Sequence, residues 1–316
     1  MEKQKLVVIC GPTASGKTAL AVDVARRFGG EVVSADSMQV YRGMDIGTAK
    51  PTERERGGVP HHMLDCAEPG EEYGAAVYRE QARACISDIS CRGKLPILCG
   101  GTGLYISATV YPLDFSNAEA DEEFRAELQE FVKTKGSEAL HGWLVALDPD
   151  AARAIHPNNV RRVIRALEKA RTTGSSSSAP PESNQLFNGK PLYDMAWIGL
   201  TMDRENLYRR IEARVDEMMA RGLPDEVRML TSALGPRSTA LQAIGYKELL
   251  RYFNGEITEE QAVELIKVGT RNYAKRQLTW FRRERAIRWF DTAASGSREA
   301  LDETVSGYIR ETLHIN

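Results

Sequence analysis

The sequence predicts an α/β fold: a P-loop core with a parallel sheet flanked by helices, plus an inserted all-helical subdomain. Three observations carry this. The apolar run Leu6-Val7-Val8-Ile9-Cys10 leads directly into Gly11-Pro12-Thr13-Ala14-Ser15-Gly16-Lys17-Thr18, after which apolar residues recur at helical spacing. Strand-like runs alternate with helix-like ones before about residue 114 and again after about residue 191, which argues for a parallel sheet with right-handed crossovers. Between these two regions the strands stop and only helical periodicity remains. The domain reading is therefore a core made of residues 1–114 and 191–316, interrupted by a helical insertion over 115–190.

Each element follows from its local pattern. Leu6 to Cys10 reads as a buried strand, and Ala19, Val22 and Ala25 continue as a helix. Glu31-Val32-Val33-Ser34 is a second strand, ending where a polar loop opens at Ala35-Asp36-Ser37. Gln39 to Pro60 is rich in Gly, Thr and charge; Tyr41, Met44 and Ile46 anchor it, so it reads as an ordered loop. Tyr73 to Ile89 is helical through Ala76, Tyr78, Ala82 and Ile86. Leu95 to Cys99 is a third strand, running into Gly100-Gly101-Thr102-Gly103 and a helix through Leu104 and Ile106. In the insertion, Phe124, Leu128, Phe131 and Val132 mark one amphipathic helix; Leu140, Leu144 and Leu147 mark another; Val160, Ile164, Leu167 and Ala170 mark a third. Thr173 to Pro181 contains four consecutive serines and reads as a flexible loop with too little apolar surface to order itself.

Met195 to Leu200 returns to strand character. Asp203 is placed to cap a helix whose Leu207, Ile211, Val215 and Met218 face inward, and Pro224 falls in the first turn of the next. Thr258 with Gln261 makes a capping box, opening a long helix to about Arg283. Ile287 to Asp291 is a final strand and Ser297 to Leu313 a final helix.

Composition narrows the function. With 316 residues, 42% of them hydrophobic and 27% charged, a sizeable core is available in one large domain or two smaller ones. The net charge of −2 gives no global attraction to nucleic acid or membrane. The longest apolar runs are strand-length, far short of the roughly 20 residues a membrane helix needs, and the N-terminus lacks the apolar segment of a signal peptide. The five cysteines, Cys10, Cys66, Cys85, Cys91 and Cys99, are odd in number and lack C-x-x-C spacing. They read as buried free thiols of a cytoplasmic protein.

The octapeptide fits G-x-x-x-x-G-K-[ST] at every fixed position, in the strand-loop-helix context that makes a phosphate cradle. Its glycines turn backbone N–H groups inward, the helix N-terminus adds partial positive charge, Lys17 adds a full one, and the Thr18 hydroxyl is suited to Mg²⁺. A bound di- or triphosphate is expected. Asp36, at the C-terminal end of the second strand, falls on the edge that faces the ligand crevice in such sheets. It suits either Mg²⁺ or general-base work, although a turn or cap aspartate is the plainer reading. The third strand offers Gly100 to Gly103 where an ATPase would place a metal-holding Asp. That loop suits a flat organic group better than a metal. Arg214, on an amphipathic helix, is by itself ordinarily a solvated side chain. Two stretches are basic: Lys267 to Arg288, with eight basic residues against Glu284 and with Tyr273, Trp280, Phe281 and Trp289 interleaved, and Arg153 to Arg171, with six against Glu168. They fit a nucleic-acid surface of limited extent and equally well a solvated helix face over core aromatics.

Taken together, several stretches resemble the tRNA dimethylallyltransferases. They are Gly11 to Thr18, Ser34 to Pro51, Val59-Pro60-His61-His62, Gly100 to Tyr105, His156 to Glu168, Gln242 to Lys247, and Arg271 to Trp280, in the family's order across nearly the whole chain. The resemblance implies prenyl transfer from dimethylallyl diphosphate to N6 of adenosine 37, next to the tRNA anticodon. It implies a diphosphate held by Gly11, Pro12, Thr13, Ala14, Ser15, Gly16, Lys17 and Thr18, with Mg²⁺ as cofactor on Thr18. Asp36 matches the family's general base, Thr102 its partner on the adenosine, and Arg214 its diphosphate-contacting arginine. The segments Asp36-Ser37-Met38-Gln39, Arg161-Arg162-Val163-Ile164-Arg165 and Gln242-Ala243-Ile244-Gly245-Tyr246-Lys247 match tRNA-contacting segments, as does Arg125; Arg271 and Lys275 of the basic stripe join them. Arg161 and Ile164 stand where some relatives have glutamine, and His61 and His62 read as loop-ordering residues and not metal ligands. The expected partners are a tRNA anticodon stem-loop and dimethylallyl diphosphate, with no membrane, for a cytoplasmic monomer. Competing readings are an adenylate prenyltransferase acting on AMP or ADP, a P-loop small-molecule kinase, and an RNA-binding module with a vestigial P-loop.

Overall fold

The computed structural model describes residues 3–113, 121–173, 189–234, 238 and 240–315. The stretch from 174 to 188, which holds the serine run, and the core-insertion boundary at 114–120 lie outside them. Among the described residues six strands form one parallel sheet: β1 (Lys5–Cys10), β2 (Glu31–Ser34), β3 (His61–His62), β4 (Pro96–Gly100), β5 (Asp194–Thr201) and β6 (Arg288–Asp291), in the order β3-β2-β4-β1-β5-β6. β1 is central, pairing Ile9 with Cys99 on one side and with Ile198 on the other. Every residue from Leu6 to Cys10 is buried, as a strand covered on both faces must be; hence its unbroken apolar run.

One face of the sheet packs on α1 (Lys17–Phe28) and α13 (Arg298–Leu313), through Val7, Ile9, Val24, Ile97, Ile198, Val305 and Leu313. The remaining helices of the core are the short α2 (Glu53–Arg56), α3 (Ala75–Cys91), α4 (Gly103–Val110), α9 (Arg204–Ala220), α10 (Leu223–Ala233), α11 (Tyr246–Phe253) and α12 (Glu259–Phe281). The expected caps form: Asp203 accepts from the Asn206 N–H, and Thr258 and Gln261 make the reciprocal capping box. Two features depart from the expectation. His61-His62 is an edge strand against Val32 and Val33, too short to show any periodicity. The thiols are free, but while Cys10 and Cys99 are buried, Cys66 and Cys91 are exposed.

The chain divides into two compact units, residues 1–112 with 190–316, and residues 113–189. The second is all helical: α5 (Glu122–Lys135), α6 (Ser137–Leu147), α7 (Pro149–Ala154) and α8 (Val160–Thr173). Its core is Leu128, Leu140, Leu144, Ala151, Ala152, Ile155, Val163, Ile164, Ala166 and Leu167. Leu147, read as an inward residue, is 57% exposed.

The loop between β2 and β3 is ordered by buried polar groups as much as by Tyr41 and Met44. The Glu226 carboxylate of α10 accepts the N–H groups of Asp45 (2.9 Å), Ile46 (2.7 Å) and Gly47 (3.0 Å), and the Tyr246 hydroxyl (2.6 Å). Lys50, 6% exposed, pairs with Asp45 and Asp65. Within the segment expected to contact tRNA, Tyr246 is a buried strut. Gly245 is buried as well, as the N-cap of α11.

Replacing Glu226 with Ala leaves four donors without their acceptor, each a desolvation cost of about 1–3 kcal/mol unless water enters. Glu226→Ala is expected to lower stability by about 3 kcal/mol or more and Tyr246→Phe by about 1 kcal/mol. Urea denaturation checks both, with the midpoints falling in that order.

Candidate active site

The sheet delivers its functional loops to one edge, because in a parallel sheet every strand ends on the same side. β1 ends in the phosphate loop, β2 in Asp36, and β4 in Gly101-Thr102. These three strands are neighbours, so the three loops are too.

The phosphate loop is shaped by backbone conformations its sequence permits. Gly11 has φ 144°, and a Cβ there would fall 2.6 Å from the Leu200 carbonyl oxygen, so only glycine fits. Ala14 is held at φ 62° and Gly16 at φ 94°. Lys17 opens α1 and donates to the Pro12 carbonyl (2.7 Å). Burial pushes its ammonium down to about 8, with Arg214 adding to the effect. The Ser15 hydroxyl is buried with no hydrogen-bond partner, and the Thr18 hydroxyl has none among the described residues. Orphaned hydroxyls and inward amides at a helix N-terminus are what a phosphate group satisfies.

Asp36 is partly buried. Its Oδ1 accepts the N–H groups of Met38 (2.9 Å) and Gln39 (3.3 Å), an Asx turn that fixes the carboxylate. Burial raises the carboxyl above its ordinary value; those two amides and Lys17 oppose it. Thr102 sits directly across: its Oγ1 accepts from the Ser37 N–H (3.0 Å) and donates to the Ser37 hydroxyl (3.3 Å). Gln39 is held by Ser34 and by the carbonyls of Thr48 and Ala49, so its side chain braces the loop.

α9 brings Arg214 to the phosphate loop, close enough to act on Lys17. Among the described residues Arg214 has neither a hydrogen bond nor an ion pair, and burial lowers its proton affinity. One turn earlier, Arg210 places its Nη2 3.8 Å from where a Gly16 Cβ would stand. Sequence reasoning missed Arg210; its i, i+4 spacing to Arg214 was the available signal.

The basic stripe of α12 divides in two. Lys267 pairs with Asp216, and Arg271 with Glu212 (2.5 Å) and Glu264 (3.0 Å). Both are paired within the protein, Arg271, a residue expected to contact tRNA, among them. Further along, Asn272, Lys275, Arg276, Thr279, Trp280 and Arg283 line an open groove of about 370 Å³. Gln242 and Lys247 are exposed, and Ala243 and Ile244 are partly so.

In the helical unit, Arg161, Arg162 and Arg165 are exposed on α8. Val163 and Ile164, in the same expected tRNA-contacting segment, are 0% and 6% exposed in that unit's core. Arg125 is ion-paired with Glu168.

Fold and site define a P-loop α/β protein built to hold a phosphorylated ligand beside a fixed carboxylate. Its sequence matches the IPP transferase family over residues 39–284 and the isopentenyl transferases over residues 4–67. A tRNA dimethylallyltransferase of Geobacillus kaustophilus is 49% identical over 99% of this chain and 98% of its own; one from Caldanaerobacter subterraneus is 50% identical over 98% of each. Among solved structures, the tRNA isopentenylpyrophosphate transferase of Bacillus halodurans aligns with a TM-score of 0.72 at 45% identity, covering 99% of both chains. A eukaryotic dimethylallyltransferase described as acting on tRNA aligns with a TM-score of 0.77 at 30% identity, over 96% of this chain and 78% of that one. The chain belongs to the IPP transferase family.

Lys17 gives the phosphate site a pH dependence with a definite sign. Its ammonium is lost as pH rises through about 8 in the free protein, whereas a bound anion holds the proton on. Affinity for inorganic pyrophosphate should therefore weaken above pH 8, by up to about tenfold per pH unit, relative to Lys17→Arg, whose charge does not titrate in this range. Parallel titration calorimetry of the two proteins from pH 7 to 10 checks this; parallel profiles would contradict it.

Proposed function

We infer that this chain transfers a dimethylallyl group from dimethylallyl diphosphate to tRNA, onto N6 of adenosine 37 beside the anticodon, giving N6-isopentenyladenosine. The observation that carries the reading is the juxtaposition at one sheet edge of the phosphate loop, the Asp36 carboxylate and Thr102.

An exocyclic amine is a weak nucleophile because its lone pair is delocalised into the ring. An allylic carbon compensates, since positive charge developing there is delocalised. In the proposed reaction the N6–C1 bond forms as the C1–O bond breaks, Asp36 takes the N6 proton, and diphosphate departs. Asp36 suits this work: fixed by two amides and with a carboxyl raised by burial, it is a better base at neutral pH than an ordinary aspartate. Thr102 holds the adenosine beside it. The phosphate-loop amides, Ser15, Lys17 and Arg214 take the diphosphate charge as it develops. The buried Ser15 hydroxyl, without a partner among the described residues, and the half-exposed Thr18 hydroxyl fit a diphosphate with its Mg²⁺. Among the described residues no cluster of three His, Cys, Asp or Glu could hold a metal, so Thr18 and the substrate's own oxygens would supply the ligands, as is usual for this ion. When bound, Mg²⁺ neutralises leaving-group charge.

An anticodon-loop adenosine must leave its stack to reach Asp36, at a cost of a few kcal/mol. The groove of Lys275, Arg276 and Arg283 with Trp280, and the exposed arginines of α8, are suited to offset this through phosphate contact and stacking. These surfaces favour tRNA over AMP as the acceptor. Gly100 and Gly101 at the end of β4, in place of an acidic residue, disfavour a kinase. The reading includes action as a cytoplasmic monomer; among the described residues no helix is long and apolar enough to cross a membrane.

With Mg²⁺, dimethylallyl diphosphate and unmodified tRNA, the wild-type protein should yield prenylated adenosine by mass spectrometry of the digest, and none from AMP. Asp36→Ala should lose at least about 100-fold in rate while keeping its tRNA affinity; near-wild-type turnover would remove Asp36 as the base. Lys275→Ala should weaken tRNA binding and lower the slope of log K against log salt by about one, read by filter binding from 50 to 200 mM salt.

A further inference from the structure

The mechanism above gives no role to Gln277, a buried polar side chain that reaches the site. Gln277 lies on the inward face of α12 between Ala274 and Phe281 and is 5% exposed. It bridges two loops that lie far from it in the chain. Its Oε1 accepts the Thr13 N–H of the phosphate loop (2.8 Å), and its Nε2 donates to the Gly101 carbonyl of the loop after β4 (3.0 Å). The fit leaves no slack: a Cβ on Gly101 would stand 2.2 Å from Nε2. Gly101 adjoins Thr102 in the chain, and the Thr102 Oγ1 in turn holds Ser37, the neighbour of Asp36. A path thus runs from the phosphate loop through Gln277 to Gly101, across the Gly101–Thr102 peptide link, and on to the loop that carries the carboxylate.

We propose that Gln277 is a positioning residue that sets the separation between the phosphate loop and the Thr102–Asp36 side of the site. This rests on the assignment of those two sides to the diphosphate and the acceptor base. Both contacts go to loop backbone, so they fix where each loop stands. Both matter when two substrates must meet within bonding reach, where an error of about 1 Å costs about 100-fold in rate. The amide is the only side-chain group of this length that accepts at one end and donates at the other with no charge.

The test separates positioning from folding. Gln277→Met keeps length and volume and removes both hydrogen bonds; Gln277→Glu keeps an acceptor for Thr13 and turns oxygen toward the Gly101 carbonyl. Pyrophosphate affinity, tRNA affinity, melting temperature and single-turnover rate are measured for each. The expected result is a rate loss of about 30-fold or more with both affinities within about threefold of wild type. Gln277→Glu alone carries the test if the Met variant does not fold. An unchanged rate would overturn the proposal, as would a rate loss matched by a fall in both affinities and in melting temperature. Absence of product from the wild-type protein would instead refute the reaction assigned above.

Discussion

Everything at the site depends on parallel pairing around β1. A parallel sheet cannot be closed by tight hairpins; each strand must be followed by a crossover, and all strands then end on one side. With β2, β4 and β1 adjacent, the three loops that carry Asp36, Thr102 and the phosphate cradle emerge side by side. The contribution of β5 on the other flank is steric: its Leu200 carbonyl stands against Gly11 and leaves no room for a side chain where the chain must turn. The cradle is thus a product of the sheet's register as well as of its own sequence.

Electrostatics at this edge is arranged by withholding partners. Elsewhere the protein pairs its cations closely: Arg92 and Lys94 on the buried Glu31, Lys50 between Asp45 and Asp65, Arg271 between Glu212 and Glu264. Among the described residues Arg214 has no ion pair and the Ser15 hydroxyl no hydrogen bond. Burial lowers the proton affinity of both Lys17 and Arg214, with Arg214 adding to the effect on Lys17 and Arg210 to that on Arg214. An anionic ligand offsets both the burial and the like charge.

How legible this was in the sequence depended on the range of each contact. The phosphate loop, Asp36 at a strand end and the Thr258 capping box are encoded in neighbouring residues, and reading them in order was enough. Val163 and Ile164 show the limit of matching a segment as a block: the same apolar spacing that marks α8 as a helix puts these two side chains in its core, while Arg161, Arg162 and Arg165 point out. Arg271 looked free because its neutralising Glu212 lies on a different helix. Gln277 was invisible for a similar reason, since its partners sit at positions 13 and 101. A lone amide on the apolar face of α12 was its only trace.

The clamp of Glu226 and Tyr246 on the Asp45–Gly47 backbone, and that of Gln277 on Thr13, bear on how the protein is made. Lys17, Asp36 and Thr102 come early in translation, yet the groups that hold their loops come from the final third of the chain, and β1 cannot gain its β5 neighbour until Asp194 has been synthesised. A nascent chain cut short before α12 carries every phosphate-loop residue and still lacks the fixed site. Completion of the site therefore waits on closure of contacts that are long-range in sequence.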